Sequence, residues 1–445
     1  MMIVDSHLDL AMNALFLKRD LRVSAHELRD VERAAGRTGN GLGRATTGLP
    51  DMRRGGVGLS FVTVLARVNP AGTSFLDFAT PEIAHAQGQG QLAWYLELER
   101  QGVCRLIRSR ADLEGHLTEW ASPSPPTQTL LPIPGEGEDM AADASSGEGR
   151  TKAPSPPAPL PLGEGGTALP ASTPGDGGTA LAASTPGEGG TALAASTPGE
   201  GGTALPASIP GEGSDLPLGF VLSMEGADPI VGPDQLGAWV DQGLRIVSLA
   251  HYGPSRYAHG TKSEGGLFPM GRELLAEMAR LGVALDVTHL SDGSFREALD
   301  LFDGPVLATH SNCRALVPGD RQLSDGMIRE LVTRGAVIGS ALDAWMLQPG
   351  WVIGETTPEG VSMETFVDHI DHVCQIAGDA RHAAIGSDLD GGYGTEQTPR
   401  DLDTIADLRV VPELLARRGY GDEDIALVMH GNWERWLRGV LPATG

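Results

Sequence analysis

Residues 284–293 read ALDVTHLSDG, and residues 306–315 read VLATHSNCRA. Each is a short apolar run that closes on Thr-His, and His310 follows His289 by twenty-one positions. Between them, residues 294–302 (SFREALDLF) carry apolar residues at helical spacing. Strand, helix, strand, with a histidine where each strand meets a polar turn, describes a βαβ unit of two parallel strands. The pattern continues in both directions. Strands are expected at 3–9, 57–66, 219–226, 244–251, 283–289, 304–310, 336–343 and 383–390. Helical patterns lie at 82–102, 233–242, 271–281, 294–302, 324–334 and 364–377. Near-continuous apolar strands alternating with helices imply a parallel sheet covered by helices. Eight such units imply an α/β fold of the (β/α)8 TIM-type barrel class, with the chemistry at the C-terminal ends of the strands. An open doubly wound sheet is the structural alternative, but no G-x-G-x-x-G follows the first strand.

One segment departs from this pattern. Residues 121–214 are rich in Pro, Gly, Ser, Thr and Ala, and contain a 12-residue repeat of the form GGTALAASTPGE. Each unit offers one leucine and no aromatic residue, too little apolar surface to offset the entropy of ordering it. The expected organisation is therefore residues 1–120 as the first part of the barrel, 121–214 as a disordered insertion, and 215–445 as the remainder. The net charge of −25 argues against nucleic acid and anionic membranes as partners. Three distant cysteines, none in a C-x-x-C, give no disulfide framework and suit a reducing compartment. The opening MMIVDSHLDL lacks a basic leader region, and no apolar run is long enough to span a bilayer.

Polar residues able to bind metal stand at several strand ends: His7 and Asp9, Glu225, His251, His289, His310, and Asp388 with Asp390 beyond it. His7 and Asp9 are two apart and so share one side of their strand. Any one of these histidines alone reads as a packed rim residue. Several on different strands at the same end of a barrel are hard to explain by packing, because buried charge is costly unless paired or metal-bound. Imidazoles and carboxylates together suit one or two divalent ions of the zinc type. A carboxylate can bridge two ions and a neutral imidazole cannot, which makes Glu225 the candidate bridge. The chain has only Lys18, Lys152 and Lys262, and none ends an expected strand, so a carbamylated lysine is no alternative.

The stretches VDSHLDL, SMEGAD, LDVTHLSD, THSNCRALVPGDRQLSD and IGSDLDGG resemble, in order, those of the membrane (renal-type) dipeptidases, peptidase family M19 of the amidohydrolase superfamily. That resemblance implies a zinc metalloprotease with two Zn2+ ions per chain. It implies His7, Asp9 and Glu225 around one ion and Glu225, His289 and His310 around the other. It also implies His251 at the substrate carbonyl and developing oxyanion, Arg321 on the substrate, and Asp388 beside the bridging water. The activity implied is proteolysis limited to dipeptides, by a metal-bridging hydroxide. An amidohydrolase acting on N-acyl amino acids, lactams or esters is the alternative. Without a leader or an apolar C-terminal tail, a soluble cytoplasmic enzyme is expected, with a small carboxylate-bearing substrate, no membrane partner, and a homodimer compatible with these features. Asp286 is either a support for a ligand or a turn cap. His259, and the pair His369 and His372, read as loop and packing residues. Trp345 and Trp351 read as pocket or packing residues.

Overall fold

The computed structural model describes residues 1–39, 41–72, 74–121 and 216–444. Eight parallel strands, labelled here β1 to β8, run Ile3–Leu8, Val57–Val64, Leu218–Met224, Leu244–Ser248, Ala284–Asp286, Val306–Leu307, Ile338–Ser340 and Ala383–Ile385. Their order in the sheet is β7-β8-β1-β2-β3-β4-β5-β6, and a parallel bridge between Ala308 and Ile338 brings β6 to β7, so the ring closes. The (β/α)8 barrel expected from the sequence is the fold, and an open sheet is excluded by that closure. A short outer strand, Cys104–Leu106, pairs with the start of β3. No helix among the described residues is long and apolar enough to cross a membrane. The expected disorder of the repeat lies outside the described residues. The flanks of that segment meet: Trp120 Nε1 donates to the carbonyl of Pro217 at 3.1 Å.

The helices follow their sequence signals. Pro81–Arg100 starts with Thr80 accepting from the Ile83 amide and Pro81 in the first turn. Pro269–Leu281 ends on Gly282 at φ 69°, the left-handed conformation that closes a helix most cheaply on glycine. The short helices between β1 and β2 and the C-terminal helix Asn432–Val440 were not foreseen. The latter closes the floor of the barrel. Trp433 and Trp436 pack with Val4, Leu59, Phe61, Val221 and Leu307, and their ring N–H groups donate to the carbonyls of Ile385 and Val306 at 3.1 Å each. A buried tryptophan whose N–H is satisfied contributes its full apolar surface to the core.

At the opposite end the strands are shorter than the sequence suggests. Runs of seven or eight residues were expected for β5 to β8, yet strand geometry ends after two or three. Beyond that point the chain turns sharply: His289, Asp388 and Asp390 lie at φ 68°, 59° and 61°. Non-glycine residues adopt this region only where surrounding contacts hold them, and such residues gather at functional sites. Glycines in β7 and after β8 allow the crowding there. A Cβ on Gly339 or Gly386 would meet the Thr309 carbonyl oxygen at 2.1 Å or 1.8 Å. The Ser6 hydroxyl donates to that same carbonyl, and the end of β6 is fixed from both sides.

Candidate metal centre

The two Thr-His ends are clamped together by one carboxylate. Asp286 accepts from the Thr288 amide at 3.0 Å, the Thr309 amide at 3.1 Å and the Thr309 hydroxyl at 2.6 Å. It therefore both caps a turn and braces the neighbouring histidine. Because the Thr309 hydroxyl donates to Asp286, it accepts from His310 Nδ1, 2.9 Å away. Likewise the Thr261 hydroxyl donates to the His289 carbonyl and accepts from His289 Nδ1 at 3.1 Å. The network thus assigns the proton to Nδ1 on both rings and leaves both Nε2 lone pairs facing inward.

Those lone pairs converge. His289 Nε2 and His310 Nε2 are 3.2 Å apart, and each faces Glu225 Oε1, at 3.0 Å and 3.2 Å. The other Glu225 oxygen, Oε2, lies 3.7 Å from His7 Nε2, which is also 3.9 Å from Asp9 Oδ1 and 3.8 Å from Asp388 Oδ1. Three sets of donor atoms lie within 4.8 Å of one another: His7, Asp9 and Glu225; Glu225, His289 and His310; His7, His310 and Asp388. The Thr63 hydroxyl, from β2, donates to Asp9. All five expected ligands therefore meet at one rim, and Glu225 touches both groups.

The electrostatics ask for positive charge at this point. Burial pushes Glu225 well above the ordinary carboxylate range, and Asp9 and Asp388 add to the shift. Burial opposes a charge on His7, yet Glu225, Asp9 and Asp388 outweigh it and raise the imidazole to about 10. Burial and the neighbouring cationic groups keep His289 and His310 neutral. Neither His7 ring nitrogen has a hydrogen-bond partner among the described residues. Two neutral imidazoles with inward lone pairs, beside carboxylates that force a proton onto a third imidazole, fit divalent cations of the zinc type.

Three further expected residues surround this centre. His251 Nε2 lies 3.8 Å from Glu225, and its ring stands 4.4 Å from that of His289. Burial, with Arg67 and Arg321 nearby, keeps it neutral. Arg321 is buried; its Nη2 donates to the His310 carbonyl at 2.9 Å, and Nη1 has no hydrogen-bond partner among the described residues. Asp388 is raised to about 7, mainly by burial, with His7 opposing. These residues line a cavity of about 190 Å³ together with Met12, Leu65, Phe75, Leu76, Tyr252 and Asp343. Asp343 was missed by the sequence reading, although the expected strand 336–343 ends on it. Asp390 stands apart from the cavity: it accepts from Thr46 and Thr47 and pairs with buried Arg19 at 3.3 Å. The histidines set aside are structural. His259 Nδ1 donates to the Gly266 carbonyl, His369 accepts from the Cys313 amide, and His372 pairs with Asp325. Trp345 and Trp351 do not line this cavity.

Comparison with known proteins identifies the family. A dipeptidase of Claviceps purpurea, tcpJ, is 32% identical over 205 residues, which is 44% of this chain and 45% of that protein. The chain spans about half the length of the first curated relatives it matches. The structure of dipeptidase AC, a metallopeptidase of family M19, superposes with a TM-score of 0.65 at 18% identity over 99% of both chains. A metallopeptidase from Rhodobacter sphaeroides, solved with a phosphinate mimic of the dipeptide L-Ala-D-Ala, superposes with 0.64 at 18% identity over 99% of both. At that identity the likeness establishes the barrel. The family model described as membrane dipeptidase matches residues 213–442, a little over half the chain and the part that carries Glu225, His251, His289, His310, Arg321 and Asp388. The chain belongs to peptidase family M19, the membrane dipeptidases.

Proposed function

We propose that this chain is a metal-dependent dipeptidase that binds two zinc ions and hydrolyses the single amide bond of a dipeptide. The observation that carries the reading is the reach of Glu225, with Oε1 3.0–3.2 Å from His289 and His310 and Oε2 3.7 Å from His7. One ion would be held by His7, Asp9 and Glu225, the other by Glu225, His289 and His310. When bound, the pair supplies Lewis acidity to the scissile carbonyl and to a water molecule. The protein's own groups do the rest. Asp388, 3.8 Å from His7, takes the proton of the attacking water and returns it to the leaving amine. His251 donates to the oxygen on which negative charge develops. The free Nη1 of Arg321 meets the substrate carboxylate in a charge-assisted hydrogen bond, while Nη2 stays on the His310 carbonyl. A cavity of about 190 Å³ suits two residues better than a longer peptide. The dipeptide mimic held by the Rhodobacter sphaeroides metallopeptidase supports the same substrate class.

The test is metal analysis joined to a substrate panel. Two zinc ions per chain are expected, with turnover of dipeptides that is lost on chelation and restored by zinc, and much weaker turnover of N-acyl amino acids. Full activity in the metal-free protein, or no turnover of any dipeptide by the zinc-loaded protein, would overturn the reading.

A further inference from the structure

Every strand of the barrel but one has a recognised task at the site. β1 brings His7 and Asp9, β2 the Thr63 hydroxyl on Asp9, β3 Glu225, β4 His251, β5 His289, β6 His310 and β8 Asp388. The chain after β7 brings Asp343 into the same cavity, and no role in the hydrolysis uses it. Asp343 and Asp388 stand at matching positions three residues past their strands, which pair Ser340 with Ile385. The Leu342 amide donates to the Ser387 carbonyl at 2.9 Å, tying the two ends together.

Asp343 is buried, yet its partners are all neutral donors: Gln397 Nε2 at 2.8 Å and the Trp345 side chain and backbone. Among the described residues, no lysine, arginine or histidine forms an ion pair with it. Burial, and Asp388 beside it, push its carboxyl up to about 8. A buried carboxylate facing a cavity without a counter-ion is a site for a cation. The α-ammonium of a dipeptide sits one carbon from the scissile carbonyl and so stays close to the metal centre and Asp388. Asp343 forms no ion pair with the ligand histidines, whereas Asp388 lies 3.8 Å from His7; with Asp388 placed to meet the α-ammonium, Asp343 is left for a second cation. The order of residues around the rim identifies which group. Arg321, after β6, takes the carboxylate; Asp343 is next, after β7; Asp388 follows, after β8. Met12, Leu65, Phe75 and Leu76, after β1 and β2, form the apolar wall.

We propose that Asp343 is a specificity-determining residue that pairs with a cationic side chain on the carboxylate-bearing residue of the substrate. The favoured substrates are then dipeptides with an apolar first residue and a lysine- or arginine-type second residue. This rests on the dipeptidase reading above. The experiment compares kcat/KM for Leu-Lys and for Leu-norleucine, which matches it in shape without the charge, using the zinc-loaded full chain and its Asp343→Asn variant. Wild type should favour Leu-Lys by at least tenfold, and the ratio should fall to near one in the variant. A ratio below threefold in wild type, or one unchanged in Asp343→Asn, would overturn the proposal. Should the variant not fold, the wild-type ratio alone decides, extended to Leu-Arg against Leu-Gln. Absence of turnover with every peptide would instead sink the dipeptidase reading. Calorimetric binding of the two peptides to both proteins would still decide the role of Asp343 by the same ratios.

Discussion

The Thr309 hydroxyl links Asp286 to His310, and replacing it with the near-isosteric valine tests whether that link orients a ligand. Two hydrogen bonds are lost, at 2.6 Å to the Asp286 carboxylate and at 2.9 Å from His310 Nδ1. The first is charge-assisted and worth roughly 1.5–3 kcal/mol, and the second leaves a buried N–H unpaired at roughly 1–3 kcal/mol. Thr309→Val should therefore cost about 3 kcal/mol of stability in the metal-free protein. The second consequence is separate. Without its acceptor the His310 ring can turn or change tautomer, and loss of such a support typically weakens metal binding about 10–100-fold. Denaturant unfolding of the metal-free protein measures the first effect, and zinc competition with a chromophoric chelator measures the second. Thr333→Val, which removes only a bond to the Arg329 carbonyl on an exposed helix, serves as the control. Zinc affinity within twofold of wild type, even alongside a large loss of stability, would refute the argument that Thr309 sets the His310 lone pair.

Glu225→Gln replaces one of the two carboxylate oxygens with an amide nitrogen and removes the negative charge, and should lose most bound zinc and nearly all turnover; full zinc at near-normal rate would contradict the bridge. Arg321→Met should raise KM for dipeptides by roughly 10–100-fold, the loss of a charge-assisted hydrogen bond of about 1.5–3 kcal/mol, and measured KM and kcat separate this from a catalytic defect. In the metal-free protein Asp343 and Asp388 are raised to about 8 and about 7. Their native forms then hold protons that the unfolded chain has released, so their contribution to stability falls as pH rises through the raised values. The buried neutral histidines act oppositely, but only below about pH 6.5. With His7 also raised, to about 10, stability should thus decline from about pH 6.5 to about 10, and Asp343→Asn should flatten the part of that decline below about pH 8 when melting temperature is followed against pH. Replacing residues 123–214 with a short Gly/Ser join should preserve the melting temperature and dipeptide turnover, because Trp120 and Pro217 already meet; loss of soluble protein would refute this.

The eight strands were legible because each lies in a short, mostly apolar run, and a barrel buries both faces of every strand. The convergence of the five expected ligands was legible because each carries a type of side chain that is costly to bury without a partner. What could not be read was the geometry just past the strands. Alternation of side chains holds only while the backbone stays extended, and at His289 and Asp388 it does not: φ is 68° and 59°. The neighbours that hold those conformations come from elsewhere in the chain. Thr261 holds His289 from the preceding loop, and the Asp388 amide donates to the carbonyl of His7. No local pattern reports such contacts. The floor helix escaped notice for a related reason: Trp433 and Trp436 look like surface residues until the barrel floor against which they pack exists.

Asp343 shows where the line between legible and hidden falls. It closes an expected strand, as His251, His289 and His310 do, and by position alone it had the same claim to the site. A lone aspartate after an apolar run is also the ordinary start of a turn. The structure separates the two readings through its partners. A turn aspartate is exposed and bonds backbone N–H groups nearby. Asp343 does bond the Trp345 backbone, but it is buried, takes a second donor from Gln397 fifty-four positions away, and opens onto the same cavity as Arg321 and Asp388. Binding a cationic side chain there would supply the charge that ionises the carboxyl, while a neutral side chain would leave it protonated. Discrimination would then come from the ion pair gained with a cationic side chain rather than from shape. On that argument the preference for Leu-Lys over Leu-norleucine should shrink as pH falls from 8 to 6, with the carboxyl increasingly protonated in the free enzyme. A preference that stays constant across that range would show that the cation is recognised elsewhere.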